Sequence, residues 1–389
     1  MSHQLIAHSP DLQKLRNQGL DLDIQHGYLL IKDVPYVNAS REVKLGTLVS
    51  RLELNGDITN KPSDHVAYWV GEHPCHSTGS VIATIQNPSA PQDLGNGLKV
   101  DFTFSAKAEY RDYHHKMTTY IGRITGEAQV IDAAATAETY PVIPTEVNES
   151  VFKYQDTASS RVNIGNFNEK LAGQRIGIVG LGGTGSYVLD LVAKTCVNEI
   201  HLFDGDVFSQ HNAFRTPGAA SLDELKIKPT KVAYLESVYA KMRRGLVIHE
   251  LYMDSSTSNQ LAGLDFVFLC LDRGASKKEI VTTLIELGIP FIEVGMGVVR
   301  SDDSLSGLIR VAVGTKEVHD KILKKINFSE GDVPEDEYST NIQIAELNAL
   351  NACLAVIRWK KVFGFYRDSS DAHFISYSIA ANEMVNEDE

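Results

Sequence analysis

Cysteine is scarce in this chain. Its four cysteines, Cys75, Cys196, Cys270 and Cys353, lie too far apart to read as a disulfide framework or as paired zinc ligands. Cationic residues are also outnumbered: 37 Lys and Arg stand against 50 Asp and Glu, a formal charge of −13. Neutralising a polynucleotide needs clustered cations, and the one basic run, Lys241 to Arg244, is short. No nucleic-acid partner is expected. No apolar stretch approaches the roughly 20 residues a membrane-spanning helix needs. Met1-Ser2-His3-Gln4 also lacks the basic start and apolar core of a secretory signal. These absences predict a soluble, cytoplasmic protein with no membrane partner.

What is present supports globular folding, since 43% of the residues are hydrophobic. The 389 residues exceed the size at which one core stops growing, so two domains are expected. Residues 1–146 read as a smaller, β-rich α+β domain with a short helical start. Candidate strands recur at Tyr28 to Lys32, His65 to Val70, Val81 to Gln86, Leu98 to Phe104 and Met117 to Ile124. The turn signals Asn55-Gly56 and Asn96-Gly97 punctuate them. A stretch from Ala133 through Pro141 and Pro144 to Glu149 has no apolar period and suits a connection.

From 147 to 389 strands alternate with helical segments, which predicts an α/β fold: a Rossmann-like, doubly wound, mainly parallel sheet. Its strands are expected at Arg175 to Val179, Glu199 to Phe203, Gly245 to Leu251, Asp265 to Leu271 and Pro290 to Val294, with Gly307 to Val313 a later, antiparallel one. Leu347, Leu350, Leu354 and Ile357 recur at helical spacing and predict a late helix with that stripe in the core. The acidic end, Asn386 to Glu389, reads as a solvated terminus.

The sharpest local signal lies just past the first of these strands. Ile176-Gly177-Ile178-Val179 runs into Gly180-Leu181-Gly182-Gly183-Thr184-Gly185 and then an apolar helix, a strand–glycine turn–helix arrangement that binds phosphate. Gly180 makes the turn, Gly182 lets phosphate approach the backbone, and Gly185 allows close helix–sheet packing. The helix N-terminus supplies unpaired N–H donors. The next strand ends at Asp204, where a carboxylate can accept from ribose. A nicotinamide dehydrogenase would share all of this. The residues from Asp204 onward do not suit one: Asp204-Gly205-Asp206, then Asn212 and Arg215, then the basic stretch Lys226, Lys228 and Lys231. Cations grouped beside a phosphate loop suit an enzyme that expels pyrophosphate, because negative charge builds on the oxygens around the breaking bond.

In these residues, from about 154 to 365, the sequence resembles the ThiF/MoeB/ubiquitin-activating-enzyme superfamily of E1-like adenylyltransferases. The resemblance implies ATP and Mg²⁺ as cofactors and adenylation of the C-terminal carboxylate of a ubiquitin-like or sulfur-carrier protein. Of those two partners, the additional N-terminal domain favours a protein-modification or defence pathway. Gly180, Gly182, Gly183 and Gly185 would cradle phosphate, with Asp206 beside the ribose carboxylate Asp204. Asn212 and Arg215 would hold phosphates, and Lys231 the α-phosphate, with Lys228 as the alternative. Asp272 would bind Mg²⁺, although Arg273 stands where the family usually has Asn. Arg161, in Tyr154-Gln-Asp-Thr-Ala-Ser-Ser-Arg161, matches an arginine that reaches the ATP phosphates, often across a homodimer interface.

Many relatives pass the acyl group to a cysteine in a crossover segment, and here 314–340 contains none. Cys196, Cys270 and Cys353 read as buried small hydrophobes. Cys75, flanked by His73 and His76, is a thioester candidate because neighbouring imidazoles can lower a thiol pKa.

Overall fold

The computed structural model describes residues 2–88, 90–162, 164–271, 274–301, 303–328 and 342–387. The chain separates into two compact units, Met1–Ile143 with Thr157–Val162, and Pro144–Asp156 with Asn163–Glu389.

In the first unit, α1 (Ser2–His8) and α2 (Pro10–Asn17) precede an antiparallel sheet. Its strands are β1 (Asp21–Gln25), β2 (Tyr28–Val37) and β3 (Val43–Arg51), followed after a hairpin of β4 (Leu54–Asn55) and β5 (Ile58–Thr59) by β6 (Val66–Val70). A second hairpin, β7 (Gln92–Asp93) and β8 (Lys99–Val100), leads to β9 (Phe102–Ser105). The order is β1-β2-β3-β6-β9. Asn96-Gly97 sits between β7 and β8, while Asn55 ends β4 and Gly56 begins the turn to β5. Met117–Ile124, expected as a strand, is instead part of α3 (Tyr113–Ile131). Met117, Tyr120, Ile124 and Ala128 are its buried stripe, a helical spacing that the β-branched residues between them obscured. Asp112 caps this helix, accepting from His115 N at 2.7 Å. Val81 to Gln86 is not a strand either. It makes only isolated bridges, Cys75 with Val81 and Gln86 with Phe104.

After the short helix α4 (Thr157–Arg161), which belongs to the first unit, the second unit continues with α5 (Gly165–Asn168), β10 (Arg175–Val179) and α6 (Gly183–Ala193). Next come β11 (Glu199–Phe203), α7 (Gln210–Ala213), α8 (Leu222–Ile227), α9 (Lys231–Tyr239) and β12 (Leu246–His249). β13 (Phe266–Leu269), α10 (Gly274–Leu287), β14 (Phe291–Ser301), β15 (Ser304–Gly314), α11 (His319–Ile322), α12 (Ala345–Val362), β16 (Phe374–Ser378) and β17 (Glu383–Glu387) complete it. The sheet runs β12-β11-β10-β13-β14-β15-β16-β17, parallel through β14 and antiparallel from β15.

Strand alternation divides the core between the two faces. Phe266 and Phe268 pack with α6, α9 and α12, while Val267 and Leu269 pack with α10 and α11. Each such fully buried side chain stabilises the fold by about 1.5–3 kcal/mol. Because β11 lies on one side of β10 and β13 on the other, the chain changes direction there, which opens a crevice at the strands' carboxyl ends. The basic run is structural: Arg243 is buried against carbonyl oxygens at the end of α6, including Val197 O at 2.6 Å. Burial lowers its pKa to about 10.

Two further expectations are corrected. In α12 the buried face is Asn348, Asn351, Ala352, Ala355, Val356, Arg358 and Trp359. Leu347, Leu350 and Leu354 are only half-buried and Ile357 is exposed. The helix is rotated so that Asn351 faces the crevice, Asn348 meets the start of α6, and Arg358 pairs with Asp368 at 2.6 Å. At the C-terminus, Asn386 and Glu387 pair with Ile375 and Phe374, so part of the expected tail is an edge strand.

Candidate functional site

A cleft of about 230 Å³ lies over the carboxyl ends of β10, β11 and β13, with the glycine turn as its floor. Gly180 adopts φ +87°, a left-handed conformation that a side chain would strain, and a Cβ there would press on Cys270 O. A Cβ at Gly185 would overlap Gly180 O, and one at Gly183 would overlap the Asn348 side chain. Gly182 faces open space. Three of the glycines therefore serve packing, while Gly182 leaves room for a ligand against the N-terminus of α6.

Asp204, Asp206, Arg215 and Lys231 all line this cleft. Lys231 Nζ donates to Asp206 Oδ2 at 2.6 Å and to Asp204 Oδ2 at 3.4 Å. Asp204 also accepts from Leu181 N at 2.7 Å and Asp206 N at 2.8 Å, which ties β11 to the glycine turn. Tyr252 donates to Asp206 Oδ1 at 2.7 Å, its ring covering Gly205. An ammonium has three N–H donors, so Lys231 keeps one for an anion. Arg215 Nε is buried with no partner among the described residues. His211 is pushed below the usual histidine range by burial first, then by the charges of Arg215 and Lys231. Two carboxylates and two cations cancel here. A triphosphate would thus meet no net positive charge from these four residues, and a divalent cation would be needed to balance it.

The other expected residues fall variously. Lys228 is exposed, ends α8 in a left-handed conformation, and does not line the cleft; Lys231 does. Asn212 is buried, accepts from Ser209 N at 2.8 Å, and leaves Nδ2 unpaired among the described residues. Arg161 packs with the N-terminal unit, its guanidinium 5.1 Å from the centre of the Tyr140 ring. Asp272 and Arg273 lie outside the described residues. Among the residues described, no group of three His, Cys, Asp or Glu is arranged to hold a metal ion. Likewise, no helix of the described residues is long and apolar enough to cross a membrane.

Two features are not apparent from the sequence pattern. Glu293 on β14 is wholly buried, with Lys277 Nζ at 2.7 Å and Arg310 Nη2 at 3.5 Å. The isolated carboxylate in the apolar run Phe291-Ile-Glu293-Val is its one signal. On the cleft wall beside it, Asn351 donates to Gly295 O at 3.1 Å.

The cysteines also differ from expectation. Cys353 is exposed on α12, and Cys270 is half-buried on the cleft wall. Cys196 donates to Asn168 O at 2.7 Å. Cys75 is buried, its Sγ donating to His73 O at 3.4 Å, and burial pushes its thiol up rather than down. His76 is turned to Glu127 at 2.7 Å. Nothing around Cys75 therefore favours an exposed thiolate.

Residues 157–346 match the family described as the ThiF family, and residues 10–157 match one described as a domain of unknown function (DUF6791). The chain is 22% identical over 214 residues to ubiquitin-like modifier-activating enzyme 5 of Culex quinquefasciatus. That match covers 52% of each, so the chain spans about half the length of this curated relative. Similar solved structures include PaaA, at 17% identity and TM-score 0.44 over 59% of this chain and 79% of that one. E. coli MccB is 16% identical with TM-score 0.46, over 59% of this chain and 64% of that one. MccB with ATP gives 17% and 0.43, over 59% and 66%.

Proposed function

We propose, from the premise that residues 157–346 form a ThiF family domain, that the cleft binds ATP and adenylates the C-terminal carboxylate of a ubiquitin-like protein. One observation carries this reading: the open Gly182 turn, Arg215 and Lys231 line a single cleft with the paired carboxylates Asp204 and Asp206. The similarity to ubiquitin-like modifier-activating enzyme 5 of Culex quinquefasciatus supports the partner class.

In this reading Asp204 takes the ribose, the α6 N-terminus and Gly182 take phosphate oxygens, and Arg215 and Lys231 face the reacting phosphate. A carboxylate oxygen of the partner attacks the α-phosphorus. The new O–P bond forms as the bond to the bridging oxygen breaks, and that electron pair leaves with pyrophosphate. The attacking carboxylate is ionised near neutral pH, so no strong base is required and catalysis is positioning plus charge stabilisation. Mg²⁺ at Asp272 belongs to the reading and would supply the positive charge that the balanced cleft lacks. The reading also includes a homodimer in which Arg161 of one copy serves the phosphates of the other. Nothing about the cysteines requires a thioester, so the acyl-adenylate is the proposed product.

Arg215→Ala and Lys231→Ala should each slow ATP–pyrophosphate exchange by on the order of a hundredfold, about 3 kcal/mol, while Lys228→Ala changes it little. Near-normal exchange in both of the first two variants would reject the mechanism.

A further inference from the structure

Asn351 is buried to 1% exposure on the wall of the cleft, yet its amide is half used. Nδ2 donates to Gly295 O at 3.1 Å, and Oδ1 has no donor among the described residues. An unpaired buried acceptor is costly, so a polar residue here, on a face otherwise built largely of Ala, Val and Trp, calls for a ligand donor.

Sheet order indicates which donor. The ribose-type carboxylates stand at the end of β11, the phosphate turn follows β10, and β13 and then β14 come next. A nucleotide laid along that order has its sugar at β11 and its α-phosphate over the turn, which leaves the β14 wall to the acyl group. β13 pairs with β14 only as far as Glu293, whereas β14 runs on to Ser301 with β15 on its other side. Val294, Gly295 and Met296 thus present a strand edge to the cleft that pairs with no other strand among the described residues. An extended peptide suits such an edge, through the backbone groups left open once Asn351 has taken Gly295 O.

We propose that Asn351 Oδ1 accepts the backbone N–H of the substrate's last residue, making Asn351 a specificity residue that selects a peptide carboxylate over a simple carboxylic acid. This rests on the adenylation reading and adds to it a requirement on the acyl partner. Nδ2, held by Gly295 O, fixes the amide so that Oδ1 is presented to the incoming chain. Asn348, one turn earlier, accepts from Thr184 Oγ1 at 3.0 Å and anchors the same helix face to the phosphate turn.

The test compares acetyl-glycyl-glycine with its ester isostere, in which oxygen replaces the terminal N–H. Binding of each to the full chain with Mg²⁺ and a non-hydrolysable ATP analogue is followed by NMR titration. The amide should bind about tenfold more tightly, the size of one hydrogen bond, and Asn351→Leu should erase the difference between the two probes. A purely structural Asn351 would weaken both probes equally and preserve their ratio. Equal binding of the two probes to the natural protein overturns the assignment without any variant, as does no binding of either. Pyrophosphate exchange with the amide probe reports separately on chemistry. If exchange is absent while amide-selective binding persists, the adenylation reading falls and the assignment of Asn351 stands.

Discussion

Two buried lysines in the same unit are held in opposite ways. Lys231 lies between two carboxylates, one of them, Asp206, about half exposed. Glu293 reverses the pattern: it is fully buried and lies between two cations, Lys277 and Arg310. The first group opens onto the cleft, so a ligand can redistribute its hydrogen bonds. The second sits behind the β14 wall, and its charges must be satisfied within the fold. The same residue types thus do different work according to whether solvent or ligand can reach them.

The largest effect expected from this contrast is on folding. Glu293→Gln leaves Lys277 and Arg310 without their counter-charge and should cost roughly 3–5 kcal/mol in urea unfolding. Asp206→Asn, at the half-exposed member of the other group, should cost no more than about 1 kcal/mol. Equal losses for the two would erase the distinction between a structural and a ligand-facing cluster.

The glycine turn sharpens the comparison at smaller scale. Gly185→Ala puts a methyl group into the Gly180 carbonyl and should lower the melting temperature along with nucleotide binding. Gly182→Ala meets no protein atom within 4 Å and should leave the melting temperature unchanged, yet weaken ATP binding by about tenfold. A lowered melting temperature in Gly182→Ala would show that this glycine also serves packing.

The smallest expected effect concerns thiols. In the native protein Cys353 should react with iodoacetamide well before Cys75, and Cys75→Ala should leave exchange activity intact. Peptide mapping after timed alkylation gives the order. Faster labelling of Cys75 would reinstate it as a transfer candidate.

These contrasts also mark what is visible in the sequence. The β10–turn–α6 unit is legible because its main signals are local: Gly180 and Gly185 answer constraints from the turn itself and the adjoining strand, whereas the constraint on Gly183 comes from Asn348 on α12. Lys231 and Asp206 are legible as chemical types, though their direct ion pair is not, since it depends on where α9 begins relative to β11. The Glu293 group draws on α10, β14 and β15, and only the strand register brings Arg310 opposite Gly295 and within reach of Glu293. α12 misleads because its leucine stripe is a good amphipathic pattern, while the crevice it borders demands asparagine on the inner face. In the N-terminal unit the two turns read correctly, but α3 does not, since its β-branched composition masks a helical period.

Calorimetric titration of the full chain with ATP and Mg²⁺, alongside NAD, decides whether this cleft takes the triphosphate of ATP. ATP should bind, Arg215→Ala should weaken it at least about tenfold, and NAD should not compete. Binding of NAD with none of ATP, or ATP affinity indifferent to both Arg215 and Lys231, would rule out a triphosphate site here.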